Sequence, residues 1–347
     1  MSAFKITYED VLKCPACKKD KSFFNFFDQV EDTLAKELNL YLPSEKFPPI
    51  VNTRVQCASC DLIFMSPRLS DTSLTLVYHH WYQYAYNDIF NSEALINERK
   101  KEFENYHLKT INLYAKNKGN LLDVGCGSGI FMDLARSKGW STYGIELDPL
   151  TAETGKKQYN IPIFSGRLAD IVLEQKMDVV TLFDYLEHTK TPQEDLFLIR
   201  DLLNNEGLVF IRVPNQKSLQ SQYMQEKWVG YISNHLHYFD NKTLINLVDS
   251  CGFKIRAFSC KNYCSQYDLI RTNFNYFLRK ISHTKDKKLT SKIVTNPSSL
   301  SGERKFFLGK KTQKLVNYFN SVFLQELDFF GGLLNKGNNL MLIAEKK

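Results

Sequence analysis

No stretch of this sequence approaches the ~20 uninterrupted apolar residues of a membrane-crossing helix, so no such helix is expected. The start, Met1-Ser2-Ala3-Phe4-Lys5, lacks a basic segment followed by an apolar one, and no secretory leader is expected there. Neither sign of charge dominates. The 45 Lys and Arg against 38 Asp and Glu leave +7 over 347 residues, less than a dedicated nucleic-acid binder carries. That mild excess still suits an anionic small substrate such as a nucleotide-linked sugar. The lysine runs at 18–19, 285–288 and 310–311 read as solvated faces. No internal repeat is visible. What is present is apolar content of 43% and aromatic content of 13%, which excludes a disordered chain. A cytoplasmic protein of about two domains is expected.

In a reducing compartment the eight cysteines do not read as a disulfide framework. Cys14-Pro15-Ala16-Cys17 and Cys57-Ala58-Ser59-Cys60 are two Cys-x-x-Cys knuckles. Four thiolates from two such turns suit tetrahedral zinc, and with every ligand supplied by protein the zinc is structural. The 18–56 gap is long, so we expect a zinc ribbon with an insertion over residues 1–68, its strand beginning at Asp61-Leu62-Ile63-Phe64. The competing reading is two unrelated redox or buried pairs. Cys126, Cys251, Cys260 and Cys264 read as ordinary core or surface cysteines.

Residues 69–118 form an aromatic, partly helical connector. Its Tyr78-His79-His80-Trp81-Tyr82-Gln83-Tyr84-Ala85-Tyr86 run suits either an acceptor-site lid or a brace between domains. From 119 onward short apolar runs alternate with amphipathic stretches, the signature of a parallel sheet with helices on both faces. Strands are expected at 120–124, 141–146, 179–183, 207–213, 254–259 and 339–344. Helices are expected at 130–138, after the Asp148-Pro149 start signal, near Thr191-Pro192, and at 242–250 before Gly252. A helical insertion spans about 261–335. Its Leu315, Tyr318, Phe319, Val322 and Phe323 fall at helical spacing, and Leu327 and Phe330 continue the stripe. That suits a core or the face of a homo-oligomer.

The sharpest motif is Asp123-Val124-Gly125-Cys126-Gly127-Ser128-Gly129, between a strand and a helix. Alternate glycines allow a tight turn and close approach of a ligand to the backbone. The spacing is not the G-x-G-x-x-G that cradles a pyrophosphate. An Asp before the first glycine suits a cationic ligand, and Glu146, ending the next strand, can take ribose hydroxyls. These residues resemble the cofactor motif of class I S-adenosylmethionine methyltransferases over about 118–260 and the final strand. The resemblance implies an α/β fold, a Rossmann-like seven-stranded, mostly parallel sheet. It implies that Asp123, Gly125, Cys126, Gly127 and Gly129 hold the methionine part, Glu146 the ribose, and Leu147 the adenine. Leu168, Phe183 and Asp184 complete the expected cofactor set. Arg167 stands where the family often has an acid, leaving Asp170 as a candidate. A tight turn that has lost its ligand is the plain alternative.

Phe183-Asp184-Tyr185-Leu186-Glu187-His188 and Asn234-His235-Leu236-His237-Tyr238-Phe239 resemble one branch of that superfamily. Ligands sit at the carboxyl ends of strands in open α/β sheets, so these segments border the acceptor. His235 or His237 is expected as general base, with His188 orienting it or the substrate. The plain alternatives are His188 bracing a helix start and His237 packing beside Tyr238. The cysteine knuckles, Pro67-Arg68, the Tyr-rich connector and this core together are similar to bacterial methyltransferases of sugar, glycan and natural-product pathways. That likeness implies a sugar-like acceptor. The longer sugar C-methyltransferases carry a further C-terminal domain for which this chain looks too short, so methylation of a hydroxyl is expected.

Two other functions fit the sequence less well. A nucleic-acid methyltransferase is disfavoured, because Phe183-Asp184-Tyr185-Leu186 is not Asn/Asp-Pro-Pro-aromatic and no Pro-Cys pair supplies a nucleophile. A non-catalytic scaffold is disfavoured by the intact glycine loop with Glu146.

Overall fold

The structure, a computed structural model, describes residues 5–20, 22–31, 50–85, 92–261 and 336–347. The expected insertion beyond Lys261, its apolar stripe, Cys264 and Tyr86 lie outside the described residues.

The chain opens with a small β region. Its strands are β1 (Tyr8–Glu9), β2 (Phe23–Glu31), β3 (Val51–Cys57), β4 (Ile63–Met65) and β5 (Arg68–Leu69). Helical segments follow among the described residues. They are α1 (Asp71–Ala85), α2 (Glu93–Glu102) and, after a π-helical turn at Phe103–Leu108, α3 (Lys109–Tyr114).

The α/β alternation then produces β6 (Asn120–Val124), α4 (Ile130–Ser137), β7 (Ser141–Glu146), α5 (Pro149–Tyr159), β8 (Ile163–Ser165), β9 (Met177–Phe183), α6 (Pro192–Leu202) and β10 (Leu203–Pro214). After α7 (Leu219–Met224) come β11 (His237–Tyr238), α8 (Asn241–Ser250), β12 (Phe253–Lys261) and β13 (Asn339–Lys346).

Seven strands form one sheet in the order β12-β13-β10-β9-β6-β7-β8. Only β13 runs against its neighbours. The seven-stranded, mostly parallel sheet expected from the sequence is therefore present. β8 was not foreseen; three residues are too few to show a periodicity. β10 starts at Leu203 rather than residue 207.

Both faces of the sheet are covered. On β6, Leu121 packs with Leu134 and Trp140 on one side. Leu122 and Val124 pack with Val180 and Leu182 on the other. Such double burial is what makes parallel strands read as unbroken apolar runs. The helix starts follow their signals. Asp148 accepts the Thr151 amide at 2.8 Å ahead of Pro149, and Asp240 forms a capping box with Thr243.

The N-terminal region is not a separate bead. A second sheet has the order β11-β4-β3-β2, and its edge strand β11 comes from the segment after β10. Val11, Cys14, Val55 and Phe64 share one core with Leu244, Leu247 and Phe253.

Candidate active site

The glycine loop sits where β6 ends at the carboxyl edge of the sheet. Gly125, Gly127 and Gly129 adopt φ of 78°, 54° and 84°, conformations that side-chain-bearing residues rarely take. At Gly127 a Cβ would meet nothing within 4 Å, so the bare backbone faces open space in the cavity. The Gly125 and Cys126 amides donate to the Ile145 carbonyl at 2.8 and 3.1 Å, which ties the loop to the end of β7.

Glu146 closes that corner. One carboxylate oxygen accepts the Gly127 amide and the other the Asp148 amide, both at 2.9 Å. Asp123 accepts the Thr181 hydroxyl at 2.6 Å. Both carboxyls are almost wholly buried, and burial pushes each up to about 7. Two buried carboxyls beside an open glycine backbone make a site that favours a cationic, hydrogen-bond-donating ligand.

A cavity of about 460 Å³ runs from this corner along the ends of β6, β7 and β9. That volume suits a small-molecule site. Of the residues expected to hold the cofactor, Asp123, Gly125, Cys126, Gly127, Glu146, Leu147, Leu168, Phe183 and Asp184 line it. Gly129 stands one step away, as the left-handed cap of α4. Helix α1 covers the mouth with Asp71, Leu74, Thr75 and Tyr78. Asp71 holds it down by ion pairs to Arg167 at 3.0 Å and Lys190 at 2.8 Å. Arg167, the departure from the family pattern, is thus a latch to α1. Asp170 also faces the cavity. From Trp81 on, the aromatic run lies outside the described side chains.

The three histidines divide. His188 lines the cavity; His235 and His237 are not among its lining residues. The His188 and His235 rings meet edge to face with centroids 4.7 Å apart. The Nδ1 of His188 lies 2.8 Å from the Asn234 carbonyl, and that of His235 2.8 Å from the Gly230 carbonyl. A carbonyl only accepts, so Nδ1 carries the proton in both, and Nε2 keeps the lone pair of a neutral ring. Burial lowers both pKa values, that of His235 well below the ordinary range. His237 is turned away, its Nε2 donating to the Thr189 carbonyl at 2.8 Å from within β11. Burial takes its pKa down to about 3.

At the other end, Cys14, Cys17, Cys57 and Cys60 converge, their sulfurs all within 4.8 Å of one another. The Cys14–Cys60 and Cys17–Cys57 sulfurs are 3.5 and 3.7 Å apart.

With this geometry in place, a family model described as a methyltransferase domain matches residues 78–257, more than half of the chain. The chain belongs to that family.

Among curated relatives of this methyltransferase, the mitochondrial ubiquinone biosynthesis O-methyltransferase of Schizosaccharomyces pombe is 29% identical over 121 residues, 33% of this chain and 43% of that protein. The ribosomal protein L11 methyltransferase of Clostridium botulinum (strain Eklund 17B / Type B) is 34% identical over 80 residues, 21% of this chain and 25% of that protein. The chain therefore spans less than half the length of either. A solved methyltransferase structure from Archaeoglobus fulgidus, described as SAM dependent, covers 76% of this chain and 100% of that one at 16% identity and a TM-score of 0.45. That likeness is too weak to add to the assignment.

The cavity also contains two arginines that no sequence motif marks, and Tyr185 from the segment expected to border the acceptor. Arg99 on α2 lines the cavity and lies over Phe103. Arg212, at the end of β10, lines it too and pairs with Asp184 and His107. Tyr185 lines it while donating to Asp195 at 2.8 Å. Arg99 and Arg212 sit in ordinary helix and strand patterns. Nothing local marks them as site residues.

Proposed function

We propose that this chain transfers a methyl group from S-adenosylmethionine to a hydroxyl of a small, sugar-like acceptor. The observation that carries the reading is the open backbone at Gly127 flanked by the buried carboxyls of Asp123 and Glu146. S-adenosylmethionine, when bound, supplies an electrophilic methyl on a sulfonium. The chain's own residues then bind and orient. Asp123 and the 125–129 loop would hold the amino-acid part. Glu146, whose oxygens each retain a lone pair, would take the ribose hydroxyls, and Leu147 and Leu168 would flank the adenine. Helix α1, latched through Asp71, would narrow the mouth of the cavity. The acceptor hydroxyl would lose its proton at the paired lone pairs of His188 and His235, rather than at His237.

The hydroxyl acceptor is supported by the O-methyltransferase name of the fission-yeast relative. Arg167 and Lys190 at the cavity mouth would favour an anionic, nucleotide-linked acceptor. The four-cysteine cluster would hold a structural zinc. Bonds of ~2.3 Å in a tetrahedron place sulfurs about 3.8 Å apart, close to the separations seen here. Calorimetry with S-adenosylmethionine on wild type and Glu146→Ala tests the reading. Binding lost in the variant supports it and opens an acceptor screen with nucleotide sugars. No binding by folded wild-type protein would move the reading to a scaffold.

A further inference from the structure

Glu187 is an anomaly in this site. Its side chain is 1% exposed. Neither carboxylate oxygen accepts a hydrogen bond from another described residue. Buried polar groups are nearly always partnered, so two orphaned oxygens on one carboxyl call for a missing ligand. Burial and the nearby Asp184 charge push this carboxyl well above the usual range. The same neighbourhood concentrates further orphans: the Ser233 hydroxyl, both amide atoms of Asn234 and the Nδ1 of His237.

The neighbours of Glu187 are metal-ligand types. One oxygen of Glu187 and one ring nitrogen each of His188 and His235 all lie within 4.8 Å of one another. Both rings are anchored through Nδ1 on backbone carbonyls, which leaves Nε2 as the nitrogen on offer. That is the arrangement by which metal-ligating histidines are oriented, the far nitrogen held by a carbonyl. Metal bonds of ~2.0–2.2 Å would close the group with small side-chain movements.

We propose that Glu187, His188 and His235 form a divalent-cation site at the acceptor end of the cavity. Two imidazoles and one carboxylate suit Zn²⁺ or Mn²⁺ and leave coordination positions open, unlike the four-thiolate cluster, whose soft ligands select zinc. His188 lines the cavity, so an open position can face the acceptor. This deepens the proposed function and rests on it for its chemistry. The cation would hold the acceptor oxygen and lower the pKa of its hydroxyl. The hydroxyl proton leaves to water through the cavity mouth. The oxygen lone pair then forms the new bond to the methyl carbon, and the broken C–S bond leaves its electron pair on sulfur. The base role of the two histidines becomes a ligand role.

The test is metal content and spectroscopy on the full chain. Protein equilibrated with Zn²⁺ should contain one more zinc per chain than His235→Ala and Glu187→Gln equilibrated the same way. Mn²⁺, which disfavours the cysteine cluster, should give a bound electron paramagnetic resonance signal in wild type and none in either variant. Equal zinc in all three proteins with no bound Mn²⁺ in wild type overturns the site. Thermal melting and S-adenosylmethionine calorimetry on the same samples separate the outcomes. Cofactor binding without the extra metal removes this proposal alone. Extra metal without cofactor binding keeps the cation site and removes the methyl-transfer reading.

Discussion

Arg212 grips Asp184 from below the cavity, its Nε donating to one carboxylate oxygen at 3.0 Å and its Nη2 to the other. Its Nη1 donates to Nε2 of His107 at 2.6 Å. An arginine cannot accept, so His107 accepts there. Burial and the Arg212 charge hold its pKa well below the ordinary range. Asp184 is held in a left-handed conformation, φ 54°, at the turn where β9 gives way to the acceptor segment. Asp184→Ala strips a nearly buried guanidinium of its carboxylate. It should cost about 3 kcal/mol, at the low end for breaking a buried pair, because the Asp184 side chain is 40% exposed. Urea unfolding measures this, and an unchanged midpoint would show that the pair does not hold the turn.

Cofactor affinity should depend on pH in a definite direction. Asp123 and Glu146 are raised to about 7 by burial. A cationic, donor-rich ligand lowers both, so binding releases protons and tightens as pH rises through 7. The α-amino group of the ligand loses its charge near ~7.7–8.0, so the gain ends there. Calorimetry in buffers of different ionisation enthalpy reads the proton release, and uptake instead would contradict the assignment of these carboxyls.

The same two groups make the ligand-free protein sensitive to alkali. Their folded pKa values lie above their ordinary ones. The stability they contribute is full below pH 4 and is lost as pH rises to about 7. Melting temperature without cofactor should fall over that window, less so in Glu146→Gln. A fall identical in the variant would place the effect elsewhere.

Two glycines should respond oppositely to alanine. At Gly127 the added methyl meets open cavity, so Gly127→Ala should cost only ~1–2 kcal/mol of left-handed strain while cofactor affinity falls steeply. At Gly155 on α5 the methyl would stand 2.5 Å from the Ser128 carbonyl oxygen. Gly155→Ala should therefore destabilise the fold by ~1–3 kcal/mol of overpacking. Melting and calorimetry on the pair compare the two, and intact cofactor affinity in Gly127→Ala would rule out ligand approach at that backbone.

Removing the proposed zinc from the four-cysteine cluster should act on the His235 segment before the glycine-loop corner. β4, which follows the second knuckle, pairs Phe64 with His237 and Ile63 with Tyr238. The His235 segment is thereby fastened to the N-terminal sheet. In Cys60→Ser, turnover should fall while S-adenosylmethionine affinity changes little. Parallel loss of both would mean that the cluster supports the whole core, which Cys14 and Cys57 also enter.

The glycine-loop corner, the proposed cofactor site, was legible because its signals are local. Three glycines within five residues, an Asp before them and a Glu ending the next strand are adjacent along the chain, and backbone conformation follows from such spacing. The knuckles were legible for the same reason. The acceptor end was less so. Asp184 to His188 and His235 to His237 could be placed near it. Which histidine faces the cavity depends on the carbonyls that hold each ring. Glu187 falls in the Asp184 to His188 segment, but nothing along the chain shows that its carboxyl is buried without a partner.

Residue type and spacing along the chain thus determined the α/β alternation, the turn at 125–129 and the pairing of thiolates in two knuckles. These depend on backbone geometry within a few residues. Only the tertiary structure decided that Arg212 reaches His107, that α1 is latched by Arg167, that β11 completes the N-terminal sheet, and that Glu187 meets two histidine rings. Those contacts join residues far apart in sequence. The burial that raises Asp123, Glu146 and Glu187 exists only once the layers have closed over them.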